Sequence, residues 1–333
     1  MPLDDIVELK PVAKSDPDAQ TLRLAIADYD RIRPLMDRRV TAPGLNLEVT
    51  TGDIREFCVG PVYESFDVAE MSMSWYVAAR ARGEPVVALP IFPLRMAVLG
   101  YIYCHTDAAY THPRELKGAR LGSMAFRYTV NLWLRGMLAE HYDLAMDDVS
   151  WVTSEHEIND YVPPAGIDVT YKEGTTTGGL LVDGGIDAMF APELTPAYAP
   201  GHPKIRRLFP DARAEQAAYF RKTGIYPITH TVVMHEKMAR DNPLIAQRLV
   251  AAFRDAQNLV DDYYNVDPKR LSLPGAAFIV EDERRDYGPR PWTHGVAQNR
   301  KTIETFVRYA HEQNYIDRIV PIEEFFAEGT LET

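Results

Sequence analysis

Between residues 20 and 190 the chain keeps changing its hydrophobic period. Short runs with the two-residue alternation of a strand give way to stretches of helical spacing, and then return. Leu22-Arg23-Leu24-Ala25-Ile26-Ala27 reads as a strand running into Asp28-Tyr29-Asp30. Residues 45–49 alternate apolar and polar, and residues 66–71 form a third short run. Residues 75–82 read as a helix stopped by Gly83 and Pro85, followed by strands at 86–89 and 96–103. A second series begins near residue 105. It has a short helix at 113–118, a strand at 119–123 and a helix at 129–142. Strands at 151–152 and 167–169, a short helix at 177–181 and a strand at 186–190 complete it. Strands that alternate with helices pair mostly in parallel, because each helix is the crossover that returns the chain to the same end of the sheet.

The last third has a different texture. Residues 228–234 are β-branched and apolar except for His230. Asn242-Pro243 opens the clearest helix, with Ile245, Leu249, Ala252, Phe253, Ala256, Leu259, Val260 and Tyr263 on one stripe. Residues 301–312 repeat the pattern with Ile303, Phe306, Val307 and Ala310. The expected architecture is α/β and two-lobed, with mixed, mainly parallel sheets. Residues 1–20 are a leader, 21–100 plus 230–333 the first lobe and 101–229 the second. Strand-like crossings near 99–105 and 226–234 join them. Such a fold takes its ligand in the cleft between lobes, at the carboxyl ends of strands.

Charge narrows the partners. Lys and Arg number 36 against 48 Asp and Glu, a net −12, with no local basic patch. That surface repels nucleic acid and anionic lipid. Residues 86–104 are apolar enough to suggest a membrane span, but Pro90, Pro93 and Arg95 interrupt them, so buried strands fit better. Two cysteines, Cys58 and Cys104, are too few for a disulfide framework or a cysteine zinc site. The first twenty residues carry acids where a secretory signal needs Lys or Arg. The expected location is the cytoplasm. The sequence holds no His-Glu-x-x-His, no Gly-x-Gly-x-x-Gly and no Gly-x-Ser-x-Gly, so no metal and no cofactor are expected. A homo-oligomer remains open.

Several segments then line up in order: Asp28-Tyr29-Asp30 with Arg33, Glu70-Met71-Ser72-Met73-Ser74-Trp75-Tyr76, and Pro90-Ile91-Phe92-Pro93-Leu94-Arg95. Trp133-Leu134-Arg135-Gly136, Arg206-Arg207-Leu208-Phe209-Pro210 and Thr223-Gly224-Ile225-Tyr226-Pro227-Ile228-Thr229-His230 continue the series. Together, across about residues 22–265, they resemble the 4,5-dihydroxyphthalate decarboxylases, enzymes with the type II periplasmic-binding-protein fold. The resemblance implies non-oxidative loss of one carboxylate from a hydroxylated aromatic diacid, in phthalate degradation. The partner it implies is a small aromatic carboxylate. A non-catalytic cytoplasmic binding protein or sensor for an anionic aromatic ligand is the alternative.

An aromatic diacid needs cationic clamps, donors for ring hydroxyls and a proton source. Arg95, in an apolar context, is either a carboxylate clamp or one half of a structural ion pair. Arg127, with Tyr128, stands between a strand and a helix start, where either free backbone N–H groups take an anion or the helix is capped in the ordinary way with Arg127 in solvent. Arg31 and Arg33 follow two aspartates that at least one of them pairs with, and Arg33 is the ligand candidate. Ser72 and Ser74 share one face if the segment is extended, whereas Ser74 caps the next helix if it is not. Tyr29, Trp75, Tyr76 and Tyr226 offer aromatic walls. His230, read as mid-strand among β-branched residues, is either a satisfied core histidine or the group that moves the proton. Asp28, Asp30 and Glu70 are candidates for its acidic partner.

Overall fold

The structure, a computed structural model, describes residues 13–52, 60–157, 161–192 and 201–333. The first twelve residues of the expected leader, Cys58 and residues 158–160 lie outside them. Two compact units are formed: residues 1–95, 230–303 and 320–333 make the first, and residues 96–229 with 304–319 the second. Residues 304–319 therefore pack with the second unit, although the sequence assigns everything after 230 to the first lobe.

The strands, in chain order, are β1 (Gln20–Ala25), β2 (Leu45–Thr50), β3 (Val68–Ser72), β4 (Val86–Leu89) and β5 (Ile102–His105). Then come β6 (Arg120–Ser123), β7 (Ser150–Thr153), β8 (Val169–Tyr171), β9 (Ala188–Phe190), β10 (Ile205–Arg207) and β11 (His230–His235).

In the first unit the sheet order is β2-β1-β3-β11-β4. β1 runs parallel to β2 and β3, and β11 is antiparallel to both of its neighbours. β3 and β4 are buried along their whole length; β4, at the sheet edge, is apolar throughout, whereas β3 carries Glu70 and Ser72 into the interior. The helix Pro243–Val266 begins with proline, whose missing N–H costs nothing at a helix start, and buries Ile245, Leu249, Phe253 and Ala256. These join Leu22, Leu24, Val68, Val232 and Met234 in one core. Each large side chain buried there contributes up to about 2–3 kcal/mol. The register of β3 against β11 positions two cross-strand pairs. Glu70 is opposite Val232 and Ser72 is opposite His230, so all four side chains share one face of the sheet. That face is the one carrying Val68 and Val232 into the core, and Glu70 and His230 lie at its end.

In the second unit the order is β10-β5-β9-β6-β7-β8. β6 to β9 run parallel, while β5 and β10 are antiparallel additions. The helix Thr129–His141 comes after β6 and is buried almost throughout. Its Gly136 is required by contact. A Cβ there would lie 2.3 Å from the ring of Tyr309, so the glycine's helix penalty of about 1 kcal/mol makes room for an aromatic face. Trp133 donates its indole N–H to the Ile228 carbonyl at 2.7 Å and packs on Phe306 and Tyr309. These contacts are what draw residues 304–319 into this unit.

Three boundaries differ from the sequence reading. Residues 98–101 form a 3₁₀ turn, so the strand read as 96–103 starts at Ile102. β11 begins at His230, which is the strand's first residue and not its middle; preceding backbone at Pro227 instead accepts a bond from Met96. β3 ends at Ser72 and a helix, Met73–Ala81, begins at once. No described helix is long and apolar enough to cross a membrane.

Candidate active site

The first unit gathers polar groups where the carboxyl ends of β1 and β3 meet the amino end of β11. Glu70 is fully buried on β3. A carboxylate there must be hydrogen-bonded throughout, and it is. Ala27 donates its backbone N–H to Oε2 at 3.0 Å, and the Tyr29 hydroxyl donates to Oε1 at 2.8 Å. The third partner is His230, whose Nδ1 lies 2.7 Å from Oε1. An oxygen of a carboxylate accepts, so Nδ1 carries the hydrogen and Nε2 is left to exchange a proton. Nε2 has no hydrogen-bond partner among the described residues. The His230 side chain keeps 11% of its surface accessible, while that of Glu70 keeps none. The arrangement is a buried acid that orients an imidazole with one reachable nitrogen.

The loop after β4 closes the same edge. The His230 backbone N–H donates to the Leu94 carbonyl at 3.2 Å, and Arg31 Nε donates to the adjacent Pro93 carbonyl at 2.7 Å. The Arg31 guanidinium lies 4.0 Å from the Tyr29 ring centre and 4.2 Å from that of Trp292. Arg95 is buried and directs Nη2 to the Thr293 carbonyl at 2.6 Å and to the Asn299 amide oxygen. His294 accepts the Phe92 N–H on Nδ1 at 3.1 Å. Burial, then the charges of Arg95, Arg31 and Arg254, push His294 down to about 3, so it is neutral near pH 7. A chain with twelve excess acids thus surrounds one neutral imidazole with three arginines.

Not every expected residue is brought here. Asp28 is held by Arg33 through two contacts of 3.1 Å, an exposed pair in which the arginine's hydrogen bond depresses the Asp28 carboxyl. The structure therefore joins Glu70 to His230 and leaves Asp28 with Arg33. Asp30 accepts from Tyr264 at 2.7 Å and from Arg31. Ser72 and Ser74 are both buried, but the chain turns helical between them, so they do not share an extended face; Ser72 takes the N-cap position and Ser74 lies inside the first turn. Tyr76 is in the core. Its hydroxyl donates to the Phe325 carbonyl and accepts the Ala88 N–H at 3.0 Å, so it is not an aromatic wall. Trp75 is buried as well.

In the second unit the loop from β6 into the helix Thr129–His141 carries Arg127 and Tyr128. Two of its backbone N–H groups are occupied. Phe126 and Arg127 donate to the two oxygens of Glu157, the latter at 3.2 Å. Burial pushes the Glu157 carboxyl up despite those bonds and despite Arg135 and Arg127 nearby. Tyr128 donates to Glu155 at 3.1 Å. His156 is exposed, with its ring centre 3.7 Å from that of Tyr171. Arg127 itself is buried, about 6 Å from the Tyr161 and Tyr315 rings. Arg135 bonds the Phe126 carbonyl, Gln313 and Tyr315, all at 2.8 Å. Arg206 bonds the carbonyls of Ala108 and Tyr110 at 2.7 Å. These arginines brace the unit. Tyr226 is half-buried in the segment leading to β11.

Sequence reading passes over Arg31 as a partner for aspartate, and over Trp292, His294 and Asn299 altogether. The signal available is Pro291-Trp292-Thr293-His294, an aromatic and imidazole pair in an otherwise polar tail.

The two-sheet α/β architecture is that of the periplasmic binding proteins. The chain is similar to the periplasmic aliphatic sulphonate binding protein SsuA from Escherichia coli, with a TM-score of 0.52, 16% identity and coverage of 93% of this chain and 92% of that one. It is equally similar to the alkanesulfonate-binding protein SsuA from Xanthomonas axonopodis pv. citri, with a TM-score of 0.52, 16% identity and coverage of 94% and 99%. At such identities the likeness defines the fold alone. No family model matches the chain. The sequence is 28% identical over 322 residues to the 4,5-dihydroxyphthalate decarboxylase of Comamonas testosteroni, covering 94% of this chain and 98% of that protein. It is 31% identical over 209 residues to the enzyme of the same name from Pseudomonas putida, covering 60% of this chain and 81% of that protein. The chain belongs to the 4,5-dihydroxyphthalate decarboxylase family.

Proposed function

We propose that this protein is a carboxy-lyase that converts 4,5-dihydroxyphthalate to 3,4-dihydroxybenzoate and carbon dioxide, and that His230 moves the proton. Family membership carries the reaction. The Glu70–His230 pair is the observation that carries the assignment of the residue.

Each hydroxyl of the substrate is para to one carboxylate. When that hydroxyl gives up its proton, the ring becomes electron-rich at the carbon bearing the carboxylate. Imidazolium Nε2 of His230 protonates this carbon, giving a dienone. The bond to the carboxylate then breaks, its electron pair returns to the ring, and carbon dioxide leaves. The oxygen is a phenolate again and takes back a proton. One proton is consumed at carbon for each carbon dioxide released, and no electrons are exchanged with a second reactant. Glu70 touches only the imidazole, so it is a positioning residue: by accepting from Nδ1 it leaves Nε2 as the nitrogen that exchanges the proton. Tyr29 and the Ala27 N–H hold Glu70 in turn.

The test is carbon dioxide release by the purified protein from 4,5-dihydroxyphthalate, beside a panel of hydroxylated isophthalates and benzoates. Release from the first and its loss in His230→Gln is the expected result. Full turnover by His230→Gln would overturn the assignment.

A further inference from the structure

Arg31 has a planar cation's full set of five N–H donors, and the described residues use three of them. Nε and one Nη2 hydrogen converge on the Pro93 carbonyl, and Nη1 reaches Asp30 Oδ1 at 3.3 Å. One N–H on each terminal nitrogen is left over. Both the Tyr29 and the Trp292 rings lie against the plate, which restricts its swing toward partners elsewhere. Its acid neighbour is already divided: Asp30 Oδ1 also takes the Arg31 backbone N–H, and Oδ2 takes the Tyr264 hydroxyl. The side chain keeps 13% of its surface accessible, close to the 11% kept by that of His230.

Its place is set by the same groups that set His230. The Tyr29 ring under the guanidinium belongs to the residue whose hydroxyl holds Glu70. The Pro93 carbonyl that anchors Arg31 is one peptide unit from the Leu94 carbonyl that anchors the His230 backbone. A rigid fork with two terminal donors to spare, tied to the proton-moving imidazole through shared partners, fits one oxygen pair of a carboxylate.

We propose that Arg31 holds the carboxylate that stays on the ring, and so makes the site specific for an aromatic diacid. The proposal rests on the decarboxylase reading and adds to it the residue that decides which carboxylate is kept. The retained group stays on Arg31 through the reaction, so the product is held by the same contact as the substrate.

The experiment measures binding of 3,4-dihydroxybenzoate and of catechol by calorimetry, for the wild type, Arg31→Met and Arg31→Lys. The thermal midpoint is recorded for each protein. Catechol has the ring hydroxyls without any carboxylate, so it reports everything except the proposed contact. The wild type is expected to prefer 3,4-dihydroxybenzoate to catechol by about 10–100-fold, the range of one charged, doubly hydrogen-bonded carboxylate. Arg31→Met is expected to erase that preference while catechol binding stays within about twofold; Arg31→Lys, a point charge without the fork, is expected to keep only part of it. A preference that survives Arg31→Met or Arg31→Lys undiminished overturns the proposal. So does a parallel loss for both ligands, which marks a merely structural arginine, or a wild type without the preference. Carbon dioxide release from 4,5-dihydroxyphthalate is measured separately. A wild type that shows the preference but releases nothing defeats the decarboxylase reading and leaves the role of Arg31 standing.

Discussion

Each unit places a carboxylate against the end of its sheet, and the two carboxylates do opposite things. In the first unit Glu70 comes from the strand itself, is fully buried, and spends one of its bonds on a titratable ring whose far nitrogen stays reachable. In the second, Glu157 comes from the connection after β7 and spends its oxygens on the backbone N–H groups of Phe126 and Arg127. In a loop that sequence alone leaves open between an anion site and ordinary capping, two N–H groups are taken by the protein's own anion. The difference is chemical: a half-buried acid bonded to backbone braces a loop, whereas a buried acid bonded to imidazole orients a titratable ring.

That contrast is most exposed to test at the imidazole. His230→Gln should lower kcat for 4,5-dihydroxyphthalate by about 10²–10⁴-fold, and Glu70→Gln by less, with the thermal midpoint of His230→Gln little changed. If Glu70→Gln leaves both kcat and its pH profile as in the wild type, Glu70 does not act through His230. Glu157→Ala is the matching change in the second unit. It strands two backbone donors and should cost about 1–3 kcal/mol of stability in denaturant titration. Unchanged stability would show that those N–H groups find other partners.

The pH dependence of stability probes the first unit from another side. His294 takes a proton near 6.5 when unfolded but only near 3 when folded. Its contribution to stability is complete above pH 6.5 and is lost as pH falls from 6.5 toward 3. His294→Gln should flatten the stability–pH curve across that window by up to one proton. A slope unchanged by the substitution would mean that the imidazole is not kept neutral by burial and its arginine neighbours. The smallest expected effect is that of Tyr29→Phe. It removes one of three bonds to Glu70 and should reduce kcat by a few-fold, consistent with about 1 kcal/mol for a single neutral donor. No change in the pH profile of kcat would separate Tyr29 from the proton-moving pair.

Much of the frame is written locally. The switching of period marks an α/β chain, and the stripe from Ile245 to Ala256 is the helix that covers the first sheet. His230 stands out because a titratable residue interrupts a β-branched run. Its partner does not, since Asp28, Asp30 and Glu70 are equivalent as residue types at strand ends. Register separates them: opposite Val232, Glu70 is on the face of His230, while Asp28 lies beyond β1 beside Arg33. The same limit applies to the arginines. Composition cannot tell Arg31, against the Tyr29 and Trp292 rings, from Arg33, paired in solvent, since only Ile32 separates them.

The class of fold, the family and the histidine are thus legible in the unfolded chain, because periodicity and an out-of-place side chain are properties of neighbouring residues. Three things are set only once the chain has folded: which acid orients that histidine, which loop N–H groups are already taken and which arginine keeps donors to spare. Hydrogen bonds and stacking act over a few ångströms in space, and the partners here lie 160 residues apart for His230 and Glu70 and more than 260 apart for Arg31 and Trp292.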